Sequence, residues 1–346
     1  MNWTFRMSDR LCYPLYVLTV SILITLISAN PIIAQERTYT PPRTADGQPD
    51  LQGFWTNNTY TPLQRPDNIT KAFYTSEELA ENQNQAAARE SAQTDPSSFL
   101  DVHYDYTQFG LDKSQSRLTE NLRTSMIVDP PNGRIPPLTK EGRARVDERE
   151  KRLQLLGDRL DTSSDYYNTV ETQSFNRRCI VFPGLGPPML NPGYNNNYQI
   201  IQSPGYVMIL VEMVHDARII PLDGREQPHS NVRQWKGTSR GHWQGDTLIV
   251  ETTNINGKHP FPPRPRGIPA SSENLRVIER FTRVDADTID YNFTIEDEST
   301  WVRPWTAQLP MKATQGPIFE FACHEGNYSM INTMSGIRSE EQRADN

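Results

Sequence analysis

The sequence contains no HExxH, no HxH and no CxxC, and it has only three cysteines, Cys12, Cys179 and Cys323. Those absences remove the spacings that argue for a zinc site or a thiolate redox centre, and neither metal nor cofactor is expected. GxSxG is absent too, which removes the nucleophile elbow. "FPGLGPPMLNPG" carries glycines, but its prolines take away the amide donors that a phosphate-cradling loop needs. No basic stripe exceeds a few residues and the formal net charge is −7, so nothing resembles a nucleic-acid module. No internal repeat of propeller or solenoid length is present. Between Tyr198 and Glu325 there is no helical period.

Only one long apolar run exists. "LYVLTVSILITLI", Leu15 to Ile27, follows Arg6 and Arg10 and precedes "IIAQ". It is short for a bilayer span and suits the apolar region of a signal peptide over residues 1–34, cleaved after Ala34; the alternative is a retained N-terminal anchor. Removing 1–34 takes away two arginines and one aspartate and leaves a net charge of −8. The expected location is periplasmic or secreted, with no membrane span after cleavage. In an exported chain the remaining pair, Cys179 and Cys323, reads first as a disulfide. Closing so long a loop contributes about 4–5 kcal/mol in the chain-entropy view.

What is present is proline, 27 residues mostly in clusters, and a series of short apolar runs. The prolines predict extended arms over a β-rich body. Residues 35–198 supply those arms and two peripheral helices. One helix follows the capping box Thr75–Glu78; the other, "LTKEGRARVDEREKRLQLLG", is capped by Thr139 and stopped by Gly157. From Gln199 on, "YQIIQSPGYVMILVEMVHDARIIPLDG", "TLIVETT", "LRVIERFTRV", "TIDYNFTIED" and "PIFEFACHE" are of strand length, with turn residues between them. The expected fold is mainly β, an antiparallel meander that closes into a lipocalin-like barrel over residues 199–330, with a C-terminal tail at 331–346.

"SRGHWQGDTLIVETTNI" exemplifies the meander. Gly241-His242-Trp243 ends a strand, Gly245 turns the chain at positive φ, Trp243 covers an end of the core, and Thr247 to Thr253 returns. Together with "DGQPDLQGFW", "MIVDPPNGRIPPL", "ERFTRVDADTIDYNFTIED" and "EFACHEGNY", this stretch resembles the successive blocks of a widespread family of exported bacterial proteins. The resemblance runs from about Asp46 to Tyr328. It implies export and a single unit; it implies no reaction.

Strand alternation points to candidate site residues. Leu275, Val277, Glu279 and Phe281 form the inner face of one strand, and Ile289, Tyr291, Phe293 and Ile295 that of the next. Glu251 shares a face with Ile249 and Ile255, and Glu212 shares one with Met208, Leu210 and Val214. Three carboxylates on apolar faces make either an acid/base cluster or outward ion pairs with arginine. His215 and Arg218 flank a strand break, where a barrel mouth would lie. His324 and Glu325 follow Cys323 directly, so a disulfide would hold them still. The expected catalytic set is Glu279, His324, Glu325, His215 and Arg218; the expected substrate contacts are Glu212, Glu251, Tyr291 and Phe293.

These features predict an exported barrel that binds a small, largely apolar or aromatic organic molecule in its interior. The acid/base set suits a cofactor-independent isomerase, lyase or hydrolase. The alternatives are a non-catalytic carrier, a carbohydrate-binding envelope protein, and a structural envelope protein whose acids are ion-pair partners. The sequence sets no oligomeric state.

Overall fold

The computed structural model describes residues 39–91, 121–155, 169–173, 175–182, 184–191, 195–258, 271–325 and 327–344. The candidate signal peptide 1–34, Cys12, His103, Gly157 and His259 lie outside the described residues. The architecture is that of the unit Thr40–Asn346.

Among the described residues eleven strands form one antiparallel sheet. They are β1 (Gly53–Thr56), β2 (Ile127–Asp129), β3 (Asn197–Ser203), β4 (Tyr206–Val211), β5 (Asp216–Pro221), β6 (Thr238–Gln244), β7 (Thr247–Thr253), β8 (Arg276–Arg283), β9 (Thr288–Glu296), β10 (Trp305–Gln308) and β11 (Met311–Ala313). The ladder runs β5-β4-β3-β1-β11-β9-β8-β7-β6, and β10 joins β9 to β2. The sheet curls into a nearly closed barrel, so β5 and β6, its two ends, come to face each other. At that seam an added Cβ on Gly241 would sit 2.7 Å from Leu222 and 2.9 Å from Ile220. No ladder pairs the two strands among the described residues.

The expected meander is present. Pro204-Gly205 turns β3 into β4, with Ser203 opposite Tyr206. Gly245, at φ +59°, turns β6 into β7, with Gln244 opposite Thr247. Trp243 is half-buried and packs against the core. The alternation read in β8 and β9 also holds: Leu275, Val277, Glu279, Phe281, Ile289, Tyr291, Phe293 and Ile295 are all buried.

Three features differ from expectation. The N-terminal arm contributes β1, which lies between β3 and β11 inside the sheet. "PIFEFACHE" is not a strand: regular pairing ends at Ala313, and the chain then passes so close to Phe54 that a Cβ on Gly316 would lie 2.3 Å from its ring. A third helix, Tyr328–Ala344, occupies most of the expected tail. The two expected helices are α1 (Ser76–Ser91) and α2 (Lys140–Leu155), and the third is α3. Thr75 and Glu78 make the reciprocal capping box, Thr75 N donating to Oε2 at 2.8 Å and Glu78 N to Oγ1 at 3.3 Å. Thr139 Oγ1 accepts from Gly142 N at 2.9 Å. No helix among the described residues is long and apolar enough to cross a membrane.

The interior is filled by rings. Phe281, Tyr291, Phe293, Trp305 and Trp301 form a continuous series with centroids 4.9–5.9 Å apart. Trp55 and Tyr198 close the other side of the same core. Burial of each such side chain contributes about 1.5–3 kcal/mol, and edge-to-face pairs add about 0.5–1.5 kcal/mol. Cys179 and Cys323 are joined by a disulfide across a sequence separation of 144.

Candidate functional site

Two polar regions stand out, one inside the barrel and one along its seam. Inside, Glu279 is 0% exposed, yet it does not lack partners. Arg218, on the inward face of β5, meets it with both terminal nitrogens. Nη1 donates to Oε1 at 3.2 Å, and Nη2 lies 2.9 Å from Oε2, off the hydrogen-bond angle. Tyr291 donates to Glu279 Oε1 at 2.8 Å, and Met189 N donates to the Tyr291 oxygen at 2.8 Å. Burial, followed by the Glu279 charge, raises the Tyr291 phenol well above its ordinary range. Tyr291 therefore stays protonated and can only serve as a fixed donor. Close by, Asn197 donates to Glu212 Oε2 at 2.6 Å, and Asn57 donates to the Tyr198 oxygen at 3.1 Å. The Tyr198 phenol is also raised, chiefly by burial.

The seam holds a cleft of about 600 Å³. Its walls are β5, from Asp216 to Pro221, and the run Arg233–Arg240 that leads into β6. Ile180 closes it from a third side, and its neighbour Cys179 ties that wall to Cys323. Trp235 lines the cleft and is backed edge-on by Phe175, with centroids 4.9 Å apart. The loop below Trp235 is held by Gln234, whose amide donates to Asn254 O and whose carbonyl accepts from Asn256 N, both at 2.9 Å. An ion pair crosses the seam from Lys236 to Asp216.

Four cations line this cleft, Arg218, Arg233, Lys236 and Arg240, against one carboxylate, Asp216. Their commitments differ. Arg233 is paired with Glu273 at 3.2 Å. Among the described residues Arg240 bonds only to the carbonyls of Glu226 and Ser239, at 3.2 and 2.8 Å, and no side-chain anion pairs with it. Arg218 is 10% exposed, and its Nε finds no acceptor among the described residues. Burial pushes the Lys236 amine down, Asp216 opposes that shift, and the Arg218 charge reinforces it.

The residues expected from sequence divide into two groups. Arg218, Glu279, Tyr291 and Phe293 come together: three share hydrogen bonds, and Phe293 sits against the Tyr291 ring at 5.9 Å. Glu212 joins the buried polar region by a different route from the one its strand face predicts. Val207, Ile209 and Val211 are the inner face of β4; Met208 and Leu210 point outward. Glu212 is buried because the chain breaks there into a tight turn, with φ −60° and ψ −49°, that rotates it inward. Glu251 faces outward, since Leu248, Val250 and Thr252 are the buried set of β7. It bonds to Arg276 at 2.7 Å, and Arg276 also holds Glu296 at 2.5 Å. His215 is exposed in the turn before β5. His324 and Glu325 are exposed in irregular chain after β11, and none of the three lines the cleft.

Sequence reasoning passed over Arg233, Trp235, Lys236 and Arg240. The usable signal was "RQWKGTSR", three cations and a tryptophan within eight residues at the mouth of a strand. Among the described residues no group of three or more His, Cys, Asp or Glu is placed to hold a metal ion.

Fold and site together define a nearly closed antiparallel barrel with a cationic cleft along its seam. No protein-family model matches the chain, and no curated protein matches it.

Proposed function

We propose that this is an exported binding barrel whose ligand is a small organic anion, taken up in the seam cleft rather than in the barrel interior. The carrying observation is Arg218. Arg218 lines the cleft, its guanidinium is fixed from behind by Glu279, itself held by Tyr291, and its Nε, buried from solvent, has no acceptor among the described residues. A cation held in place before binding loses little entropy when an anion arrives. Arg240 adds a second charge with only carbonyl partners. Trp235, Ile180 and Ile219 offer apolar surface to the rest of the ligand. Aromatic packing of the interior argues against the apolar ligand that barrel shape alone suggests. Export is supported by the apolar run Leu15–Ile27 and by the Cys179–Cys323 disulfide. The same features are expected of the family of exported bacterial proteins whose sequence blocks this chain resembles. A binding role fits better than acid/base catalysis by the expected set, because His215, His324 and Glu325 are exposed and none of them lines the cleft.

Calorimetric titration with lactate and with its neutral amide tests this reading. Lactate should bind, and more weakly as salt is raised. Arg240→Gln should weaken it by about 10–100-fold, the scale of one charge-assisted hydrogen bond. Equal binding of the neutral amide, or salt-independent binding, would overturn it.

A further inference from the structure

Lys236 is placed differently from a solvated lysine. Its side chain is 19% exposed, it lines the cleft, and its amine is held by Asp216. The charged groups that face it are Asp216 and Arg218 on β5, with Arg233 and Arg240 on its own side of the seam. Burial disfavours an ammonium there, Asp216 beside it favours one, and Arg218 adds to the effect of burial, so amine and carboxylate stand as proton partners in the cleft. Arg218, whose charge reaches the amine, is also a group that would hold a ligand carboxylate in the cleft it lines. A nucleophilic nitrogen next to a carboxylate-binding guanidinium matches one class of molecule, in which an electrophilic carbonyl carbon is bonded directly to a carboxylate.

We propose that Lys236 forms a reversible imine with the carbonyl carbon of a small 2-oxo acid held in the seam cleft. This rests on the anion-binding reading and adds to it the substrate class and the bond. Asp216 takes one proton from the Lys236 ammonium. The freed lone pair attacks the carbonyl carbon, and the C=O π pair moves onto oxygen, which receives the proton from Asp216. The carbinolamine then loses its nitrogen proton and its hydroxyl as water, leaving C=N. Amine and carbonyl become imine and water, and no oxidant or reductant is consumed. Arg218 and Arg240 hold the carboxylate, which fixes the carbonyl carbon within reach of the amine.

The test is reductive trapping of the folded protein with pyruvate and cyanoborohydride, mapped by peptide mass spectrometry. The chain has seven lysines, so the background is small. The expected result is a single adduct at Lys236, formed at least about tenfold faster than at any other lysine, as for other desolvated amine nucleophiles. Lys236→Arg, which keeps the cation facing Asp216, should abolish it. The wild-type selectivity alone is decisive if that variant does not fold. Adducts spread evenly over the lysines would overturn the imine. Lactate binding without a Lys236 adduct would overturn the imine and leave the anion site standing. Failure of both lactate and pyruvate to bind would overturn both.

Discussion

Glu279 and the seam cations pose the same electrostatic problem in two surroundings. Under β8 and β9 a carboxylate is removed from water and surrounded by Arg218, Tyr291 and packed rings. Across the barrel wall, between β5 and β6, Arg240 meets only carbonyl oxygens among the described residues, and Lys236 is held by one half-exposed aspartate. Arg218 belongs to both places. The interior network resembles a structural support: Glu279 has Arg218 as its counter-charge and the space around it is filled. The seam leaves cationic capacity unused beside an open cleft. Buried charge in this protein positions, and seam charge binds.

The largest expected effect tests the interior half. Glu279→Leu leaves Arg218 buried without its anion and should destabilise the fold by about 3–5 kcal/mol in denaturant unfolding. Adding Arg218→Met should recover most of that loss, because both charges are then gone. A double variant as unstable as the single one would show that shape, not charge, dominates there.

An intermediate effect belongs to the seam. Gly241→Val places a Cβ 2.7 Å from Leu222 Cδ2 and 2.9 Å from Ile220 Cγ2. Leu222 can give way but the buried, β-branched Ile220 cannot easily, so the change should cost about 1–3 kcal/mol, the range for overpacking. Near-UV circular dichroism from the ring series should stay unchanged while lactate affinity changes. A change in the aromatic signal with no change in affinity would couple the two regions and break the comparison.

The smallest effect is at Glu251, which sequence placed with Glu279. Its bond from Arg276 lowers its carboxyl below the ordinary value of about 4.5. A lowered folded-state value means that the stabilisation is present above the unfolded value and lost as pH falls through the folded one. Glu251→Gln should therefore cost no more than about 1 kcal/mol at neutral pH, as half-exposed ion pairs do. The difference from wild type should shrink as pH falls below 4.5 and vanish once the folded-state carboxyl is protonated too. A loss comparable to that of Glu279→Leu would mean that Glu251 is not on the outer surface.

The part of this fold that was legible is the part built from local pairing. β8 and β9 each have one face on which apolar residues recur at every second position, broken in β8 by Glu279 alone, and a hairpin keeps partners close in sequence, so alternation identified Glu279, Tyr291 and Phe293 as interior. β7 misled because Ile249, on its outer face, is as apolar as Val250 on its inner one; alternation has no contrast to use. Glu212 misled because a backbone break, not a strand register, sets its direction. β1 was invisible because four residues of an arm pair with strands far away in the chain. The cleft was hidden for the same reason. Asp216 and Lys236 meet only because the sheet curls until its ends face each other, and no local pattern encodes that distance.

Backbone amide NMR during a lactate titration tests the central claim most directly. Shifts should concentrate on the seam, at 216–221 and 233–240, and follow a single binding curve that weakens with salt. Shifts centred on Phe281, Tyr291 and Phe293 with a silent seam would contradict the account and return the ligand to the barrel interior.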